Sequence, residues 1–504
     1  MINHYKRILM RAIYFMFESY LNLYTYIYIY FKLAGLAWDN FDQNTETPGG
    51  FNTLHATVGI CYQNEIDDSE STDSNTSVST SLGKPRRSYD GQFKPIPQYE
   101  KSLKSAKFPL TIPTNAYEIK KINLTDLGLL WLMQSTVCNM PLYNGFYSNY
   151  VQDSLPKTVI TYMDPILKSP TNNDVVQETM LRTLKVASEM NQKYAIVTYD
   201  LAVALKAYSI QAIETPQFND LIILLGAFHL ELAFFGAVGT YITDSGIEYI
   251  LTESGILAGG SLNGFLKGKF YNRCCRIHQI VAATMEQALF NRFKETLSCE
   301  EIDHIQEIST YCMDDEVEMV LNEDRYCKIR EKYNLFFIAV LDGSLGENAA
   351  YWTQYIFMIN RIYREFTRSV RCNDVSGYTS ILPGMIGIFF ALNRPNYARW
   401  GSLFLDKLRN MEPEALDLLR GGAFSIRRTK KNFSRSAVDI TLEQTVNRDA
   451  ALLMKEIKSF RNTEKAFRRW CITLSQRSQL LLSYENILAY LIQKMLPIIL
   501  ELGM

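Results

Sequence analysis

YAIVTYDLAVALKAYSIQAIETPQFNDLIILLGAFH, running from Tyr194 to His229, is the stretch whose reading decides the fold. Tyr194 to Tyr199 is a short β-rich apolar run, and Asp200 follows it directly. Leu201, Leu205, Tyr208 and Ala212 recur at helical spacing, and Leu221 to Leu225 is a second strand candidate before Gly-Ala-Phe-His. Strand, helix, strand is a βαβ unit, and open α/β sheets carry their chemistry beyond the C-terminal ends of their strands. Asp200 stands at such an end. Asp is also a good helix N-cap, and these residues alone fit both roles.

Working outward, 504 residues hold enough chain for two or three domains' worth of core. Apolar residues make up 47% and charged residues 21%, the balance of a globular protein rather than a disordered one. The 52 basic and 53 acidic side chains nearly cancel, so any nucleic-acid binding must rest on local basic patches. Nine scattered cysteines without a CxxC imply reduced thiols in the nucleus or cytoplasm and no secreted disulfide framework. None of the five histidines (4, 55, 229, 278, 304) pairs with a cysteine at zinc-ligand spacing.

The first 35 residues are aromatic and apolar behind Lys6, Arg7 and Arg11, which resembles a signal anchor. Glu18 and Asn22 interrupt them and no A-x-A pattern follows, so a helix packed on the next domain is expected instead. From Leu36 we read a strand through Trp38, a Pro-Gly-Gly turn at 48–50, and a second strand over Thr53–Tyr62. Asp39 and Asp42 close the first strand; turn chemistry alone also explains acids there. Residues 64–105 are Ser/Thr/Asp-rich and predicted to be a flexible loop. Helices are predicted at Leu127–Met133 and Asp174–Met190.

Past His229 the pattern turns to helix on helix, and no strand alternation is visible between about 236 and 422. That span reads as an all-α insertion. The sheet-type region returns at 423–480, with a strand candidate at Phe424–Arg427 and a locally basic run at 427–435. Thr441 to Gln444 fits a capping box and predicts a helix from about Leu442, with Glu443 in its first turn and Asn447 one turn on. An apolar helix closes the chain at 481–504. Arg394 to Arg399, RPNYAR, reads as a helix-start turn with an exposed aromatic, and the basic runs 427–435 and 458–469 are candidate phosphate contacts or solvated faces.

Two familiar motifs fail. The Gly-rich segment 255–269 has three residues between Gly264 and Gly268-Lys269, one short of a P-loop. His229-Leu230-Glu231 lacks the P-C-x-x-C that would complete a deaminase zinc site. The carboxylates are the better lead. Asp39, Asp200 and Glu443, converging from two strand ends and a helix, could hold two Mg²⁺ or Mn²⁺ ions about 4 Å apart for phosphodiester chemistry.

Two resemblances bear on this. LAWDNFDQNTETPGGFNTLHATVGICYQ, YAIVTYDLAVALKAYSIQAI, the stretch from Leu224 to His278, RPNYARW and DITLEQTVNRDA are similar to a family of animal open reading frames that accompany transposable elements. The likeness spans roughly residues 33 to 480 and brings no activity with it. More loosely, the chain resembles ribonuclease H-like transposases, including the hAT type. Those carry one Asp on the first strand, a second just after the fourth, and a Glu or Asp on a later helix, beyond a helical insertion. On this sequence the matching positions are Asp39 (with Asp42 as the alternative), Asp200 and Glu443. Gly226 to His229 is similar to their C-x-x-H element, with Gly in place of Cys.

The resemblance implies a ribonuclease H-like mixed sheet with a large all-α insertion. It implies metal-dependent phosphoryl transfer on DNA, with Asp39 or Asp42, Asp200 and Glu443 as metal ligands and His229 and Asn447 as helpers. A nuclear protein and a homo-oligomer go with it. No zinc-finger, THAP-type or BED-type cluster is present, as expected of a fragment that starts just before the catalytic domain or of a decayed element. The alternatives are a domesticated DNA- or protein-binding protein without activity and, more remotely, a protein tethered to a membrane by residues 12–35.

Overall fold

The structure, a computed structural model, describes residues 33–47, 50–64, 96–100, 106, 108, 124–135, 140–310 and 317–447. Most of the aromatic segment expected at 1–35, most of the loop at 64–105, the basic run at 458–469 and the closing helix at 481–504 lie outside these residues.

Strands β1 (Ala34–Thr47) and β2 (Gly50–Asn64) form a long antiparallel hairpin. In β1, Ala34, Leu36 and Trp38 enter the large core on one face, while Ala37 and Phe41 enter a smaller core on the other. A strand with apolar residues on both faces belongs inside a sheet covered on both sides. Ala34 and Gly35, which the sequence placed in the N-terminal helix, are therefore strand residues. Gly59 is fixed by Trp38, whose ring would lie 2.4 Å from a Cβ there.

The first strand does not end at Trp38 as expected. It runs on to Thr47, but beyond Trp38 it pairs with β2 alone. Losing its second neighbour is why its sequence turns polar at that point without the strand stopping. Three further strands complete the sheet: β3 (Thr158–Tyr162), β4 (Ala195–Tyr199) and β5 (Leu221–Leu225). The order is β3-β2-β1-β4-β5, with β3, β2 and β1 antiparallel and β1, β4 and β5 parallel.

Helix α1 (Asn173–Glu189) packs on β4 and β1, and α2 (Leu201–Ile213) links β4 to β5. From α3 (Ala227–Ile242) the chain is helical, with no strand among the described residues until Ile426. The boundary expected at 236 falls inside α3, so the helical stretch begins at the end of β5. Its elements include α4 (Tyr271–Lys294), α5 (Asp324–Leu341), α6 (Glu347–Phe357), α7 (Arg364–Arg371), α8 (Val375–Ala391) and α9 (Pro395–Arg409). They share one continuous core with the sheet, from Leu36 and Ile223 through Phe234 and Tyr363 to Phe404. The protein is a helix-rich α/β fold on a mixed five-stranded sheet.

A π-helical turn, Met358–Tyr363, joins α6 to α7 and turns Arg361 onto Glu286 at 2.5 Å. Both are fully buried. Burial alone would raise the Glu286 pKa, but Arg361, with Asn360 donating at 2.8 Å, outweighs it and holds the carboxyl below its ordinary value.

Strands β6 (Ile426–Arg427) and β7 (Arg435–Ser436) form a two-stranded ribbon. Arg435 is buried there and grips Asp153 through Nε at 2.8 Å and Nη2 at 3.2 Å, with Arg427 also on Asp153 at 3.3 Å. The basic run 427–435 thus divides: Arg427 and Arg435 are structural, and Arg428, Lys430 and Lys431 face solvent. In RPNYAR, Pro395 occupies the first turn of α9, and Tyr397 is half-buried against Phe389 at 5.5 Å rather than exposed.

Candidate metal centre

The sheet register brings the site together. Trp38 pairs with Tyr199, and Tyr199 pairs with Leu225, so three parallel strands are level at these residues. The next residue along each is Asp39, Asp200 and Gly226. Side chains alternate along a strand, so Asp39 shares the face of Ala37 and Phe41, against the helix α10 (Val438–Leu442). Asp42 falls on the opposite face. It pairs there with His55 at 2.5 Å, both side chains about half exposed, and stands apart from the cluster. Register selects Asp39.

Asp200 is the N-cap of α2: its Oδ1 accepts the Val203 amide at 2.8 Å. The capping role that the sequence left open is therefore real. Its charge still reaches Asp39.

Helix α10 starts at Val438, four residues before the position the capping box suggested, and continues as a π turn, Glu443–Asn447. Thr441 does not cap it, since its hydroxyl donates to the Ala437 carbonyl at 2.9 Å. The earlier start puts Asp439 in the first turn, one helical repeat before Glu443 and on the same face. Sequence reasoning missed Asp439. The D-x-x-x-E spacing was the available signal.

Asp439 is buried and spans to the start of α3. Its Oδ1 accepts the Phe228 amide at 3.1 Å, and its Oδ2 accepts the His229 amide at 3.0 Å and lies 3.0 Å from His229 Nδ1. Gly226, the N-cap of α3, offers no side chain of its own, and Asp439 does the capping from a distant part of the chain. A Cβ on Gly226 would lie 2.2 Å from Asp439 Oδ2, so the carboxylate occupies the space a larger residue would need. That accounts for glycine where the resembling element has cysteine.

Asp39, His229 and Glu443, all half-buried, each offer one ligand atom within 4.8 Å of the others. Among the described residues this is the group of acids, histidines and cysteines close enough to share an ion. Asn447 Nδ2 donates to Glu443 Oε2 at 3.0 Å and orients it. Asp200 lies beside the group and not within it.

The electrostatics match. Burial pushes the Asp39 carboxyl up to about 7; His229 opposes the rise, and Asp200 and Glu443 add to it. Burial is the largest influence on His229 and disfavours its charged form. The hydrogen bond and charge of Asp439, with Asp39 and Asp200, outweigh it and lift the imidazole to about 9. Tyr397 is pushed up to about 12, by burial first and then by Asp200 and Asp439, which places it near this pocket of negative charge. Two carboxylates and an imidazole suit a divalent cation, and the surrounding acids favour positive charge.

The fold and site define an α/β protein with an Asp/His/Glu cluster at its strand ends. The chain belongs to the family described as Domain of unknown function (DUF8702), which it matches over residues 143–494. That range takes in His229, Asp439 and Glu443 and begins after Asp39. No curated protein and no solved structure matches the chain.

Proposed function

We propose that this protein carries out metal-dependent phosphoryl transfer on DNA, as a transposase-like or transposase-derived member of its family, using Mg²⁺ or Mn²⁺. The observation that carries the reading is the meeting of Asp39 from β1, His229 from α3 and Glu443 from beyond the helical region, with ligand atoms all within 4.8 Å of one another. Further support for the reading comes from the positions of the acids: Asp39 on the first strand, Asp200 just after β4, and Glu443 in a helical turn after a long helical stretch. On this reading the sheet is ribonuclease H-like and the α3–α9 region is its insertion. A nuclear location and self-association go with it.

A bound divalent cation would polarise a phosphoryl oxygen and lower the pKa of an attacking water. Asp39 and Glu443 would hold it, and Asn447 would keep Glu443 turned inward. Asp200 would set the local charge and anchor α2.

A second reading, a DNA- or protein-binding protein without catalysis, draws support from Asp200, whose side chain is engaged as a helix cap. The remoter reading of a membrane tether at residues 12–35 falls almost wholly outside the described residues, among which no helix is long and apolar enough to cross a membrane. The test is cleavage of supercoiled and short duplex DNA by the full chain with Mg²⁺, Mn²⁺ or chelator. Cation-dependent nicking that disappears in Asp39→Asn, Glu443→Gln and Asp200→Ala supports catalysis. Nicking that persists in the first two variants, or none with either ion, removes it.

A further inference from the structure

We propose that His229 is a direct metal ligand, oriented by Asp439, and that the centre therefore selects a first-row transition ion such as Mn²⁺ over Mg²⁺. This rests on the divalent-cation reading above and sharpens it by naming the ligand set and the class of ion.

Three independent observations point the same way. First, the group whose ligand atoms fall within 4.8 Å is Asp39, His229 and Glu443, so the third member is an imidazole and not the Asp200 carboxylate. Second, Asp200 already has an occupation, with Oδ1 on the Val203 amide at 2.8 Å. Third, His229 is held as a ligating histidine is usually held. Its Nδ1 lies 3.0 Å from Asp439 Oδ2, which makes Nε2 the nitrogen available to an ion. Metal-bound histidines commonly donate their other ring N–H to a carboxylate, which fixes the tautomer and the ring plane.

The orienting group is itself rigid. Asp439 accepts the Phe228 and His229 amides as well as the ring, so His229 is fixed by backbone and side chain to one buried carboxylate. Gly226 leaves the room for it. A surface ion pair would not need a carboxylate with both oxygens bound to a helix N-terminus.

The preference follows from ligand softness. Mg²⁺ favours all-oxygen shells and keeps its waters, whereas imidazole nitrogen strengthens the binding of Mn²⁺ and later first-row ions. Asp39 and Glu443 supply the hard oxygens that keep the site open to Mn²⁺.

The experiment measures Mn²⁺ binding to the full chain by loss of the free-ion EPR signal, and Mg²⁺ by competition. Pulsed EPR of bound Mn²⁺ reads directly bonded ¹⁴N. Wild type is expected to bind Mn²⁺ at least about ten-fold more tightly than Mg²⁺ and to show the nitrogen coupling. His229→Ala should remove the coupling and collapse the preference while changing Mg²⁺ affinity by less than about three-fold. Asp439→Asn should weaken Mn²⁺ binding about 10- to 100-fold, the usual effect of losing an orienting partner. Asp200→Asn removes a nearby charge but no ligand, so it should weaken Mn²⁺ and Mg²⁺ binding alike and keep the nitrogen coupling.

Bound Mn²⁺ without nitrogen coupling in wild type, or His229→Ala binding Mn²⁺ as wild type does, would overturn the proposal and leave an all-carboxylate site standing. Failure of wild type to bind either ion would overturn the phosphoryl-transfer reading as well. The wild-type nitrogen signal needs no variant, so it decides the question even where Asp439→Asn loosens the start of α3.

Discussion

Gly226→Ala should be far more damaging than its backbone suggests. Gly226 has φ −59° and ψ 119°, values open to any residue, so no strain term applies. The damage comes from contact. The added Cβ would lie 2.2 Å from Asp439 Oδ2, 2.7 Å from its Cγ and 3.1 Å from its Cβ. Asp439 is short and buried on α10, so it has little freedom to swing aside, and moving it breaks the hydrogen bonds from the Phe228 and His229 amides. Each hydrogen bond to a charged group is worth about 1.5 kcal/mol or more, and a carboxylate at a helix N-terminus adds up to about 1 kcal/mol. The expected cost is about 3–4 kcal/mol.

A double-mutant cycle isolates the cause. With Asp439→Ala already in place there is nothing to strike, and Gly226→Ala should cost only about 0.5–1 kcal/mol, the ordinary difference between Gly and Ala at an N-cap. Urea unfolding of the four chains gives the coupling, expected at about 2–3 kcal/mol. Amide exchange over Ala227–Leu230 should quicken in Gly226→Ala, since these amides head α3. Equal costs in both backgrounds would refute the reasoning, as would a cost below about 0.5 kcal/mol in the wild-type background.

The site and core supply further tests. Asp39 has its folded pKa raised to about 7 from 3.8, so its contribution favours folding at low pH and is lost as pH rises through 7. Without divalent cation, Asp39→Asn should therefore raise the unfolding free energy from urea titration at pH 8 by about 1–2 kcal/mol, after discounting for solvent, with the gain shrinking steadily below pH 7 and vanishing only near pH 4. Arg435→Ala leaves buried Asp153 with Arg427 alone and strands the Ser425 carbonyl, to which Arg435 Nη1 donates at 2.9 Å; thermal unfolding should show a loss of about 2–4 kcal/mol. His278 is buried between Phe235 and Phe265 and depressed to about 3, so stability present above pH 6.5 should fall away as pH drops toward 3, less steeply in His278→Gln, by denaturant midpoints against pH. Asp42→Asn disturbs only exposed contacts, the pair with His55 and a hydrogen bond donated by Asn40 Nδ2, and should leave both Mn²⁺ affinity and stability within about 0.5 kcal/mol of wild type in the same assays.

The fold was most legible where local pattern and tertiary burial agree. AIVTY and LIILL read as strands because both are short, β-rich and largely apolar; β4 is interior to the sheet, β5 is an edge strand that is nonetheless mostly buried, and the helical spacing of α2 between them was equally plain. Legibility failed where partners are distant. The strand through Asp39 seemed to stop because its sequence turned polar, but strand propagation depends on a pairing neighbour, and β2 supplies one out to Gly50. β3, TVITY, went unnoticed because five residues at a sheet edge carry little periodicity. The capping box at Thr441 misled because its Ser/Thr-x-x-Glu/Gln pattern lies inside a helix already begun at Val438. The role of Asp439, beyond its D-x-x-x-E spacing to Glu443, was hidden for a related reason. Its work is to cap a helix whose start lies 210 residues earlier, and no window of sequence holds both ends.

The same long-range closure bears on why the cluster exists at all. Folding alone gains nothing from a half-buried aspartate beside two other carboxylates, and the raised pKa of Asp39 records the cost. A neutral residue of similar shape would pack there at lower free energy. His229 supplies part of the compensating charge, but Asp439 engages its Nδ1 from the far side and shares that charge. What remains is an arrangement whose repulsion is relieved by positive charge arriving from outside, at the level where three parallel strands end. Strained charge of this kind concentrates where function requires it, because stability otherwise selects against it. If the reasoning holds, Mn²⁺ should raise the wild-type unfolding midpoint and leave Asp39→Asn nearly unmoved. If the ion stabilises both chains equally, the repulsion at Asp39 has some other explanation.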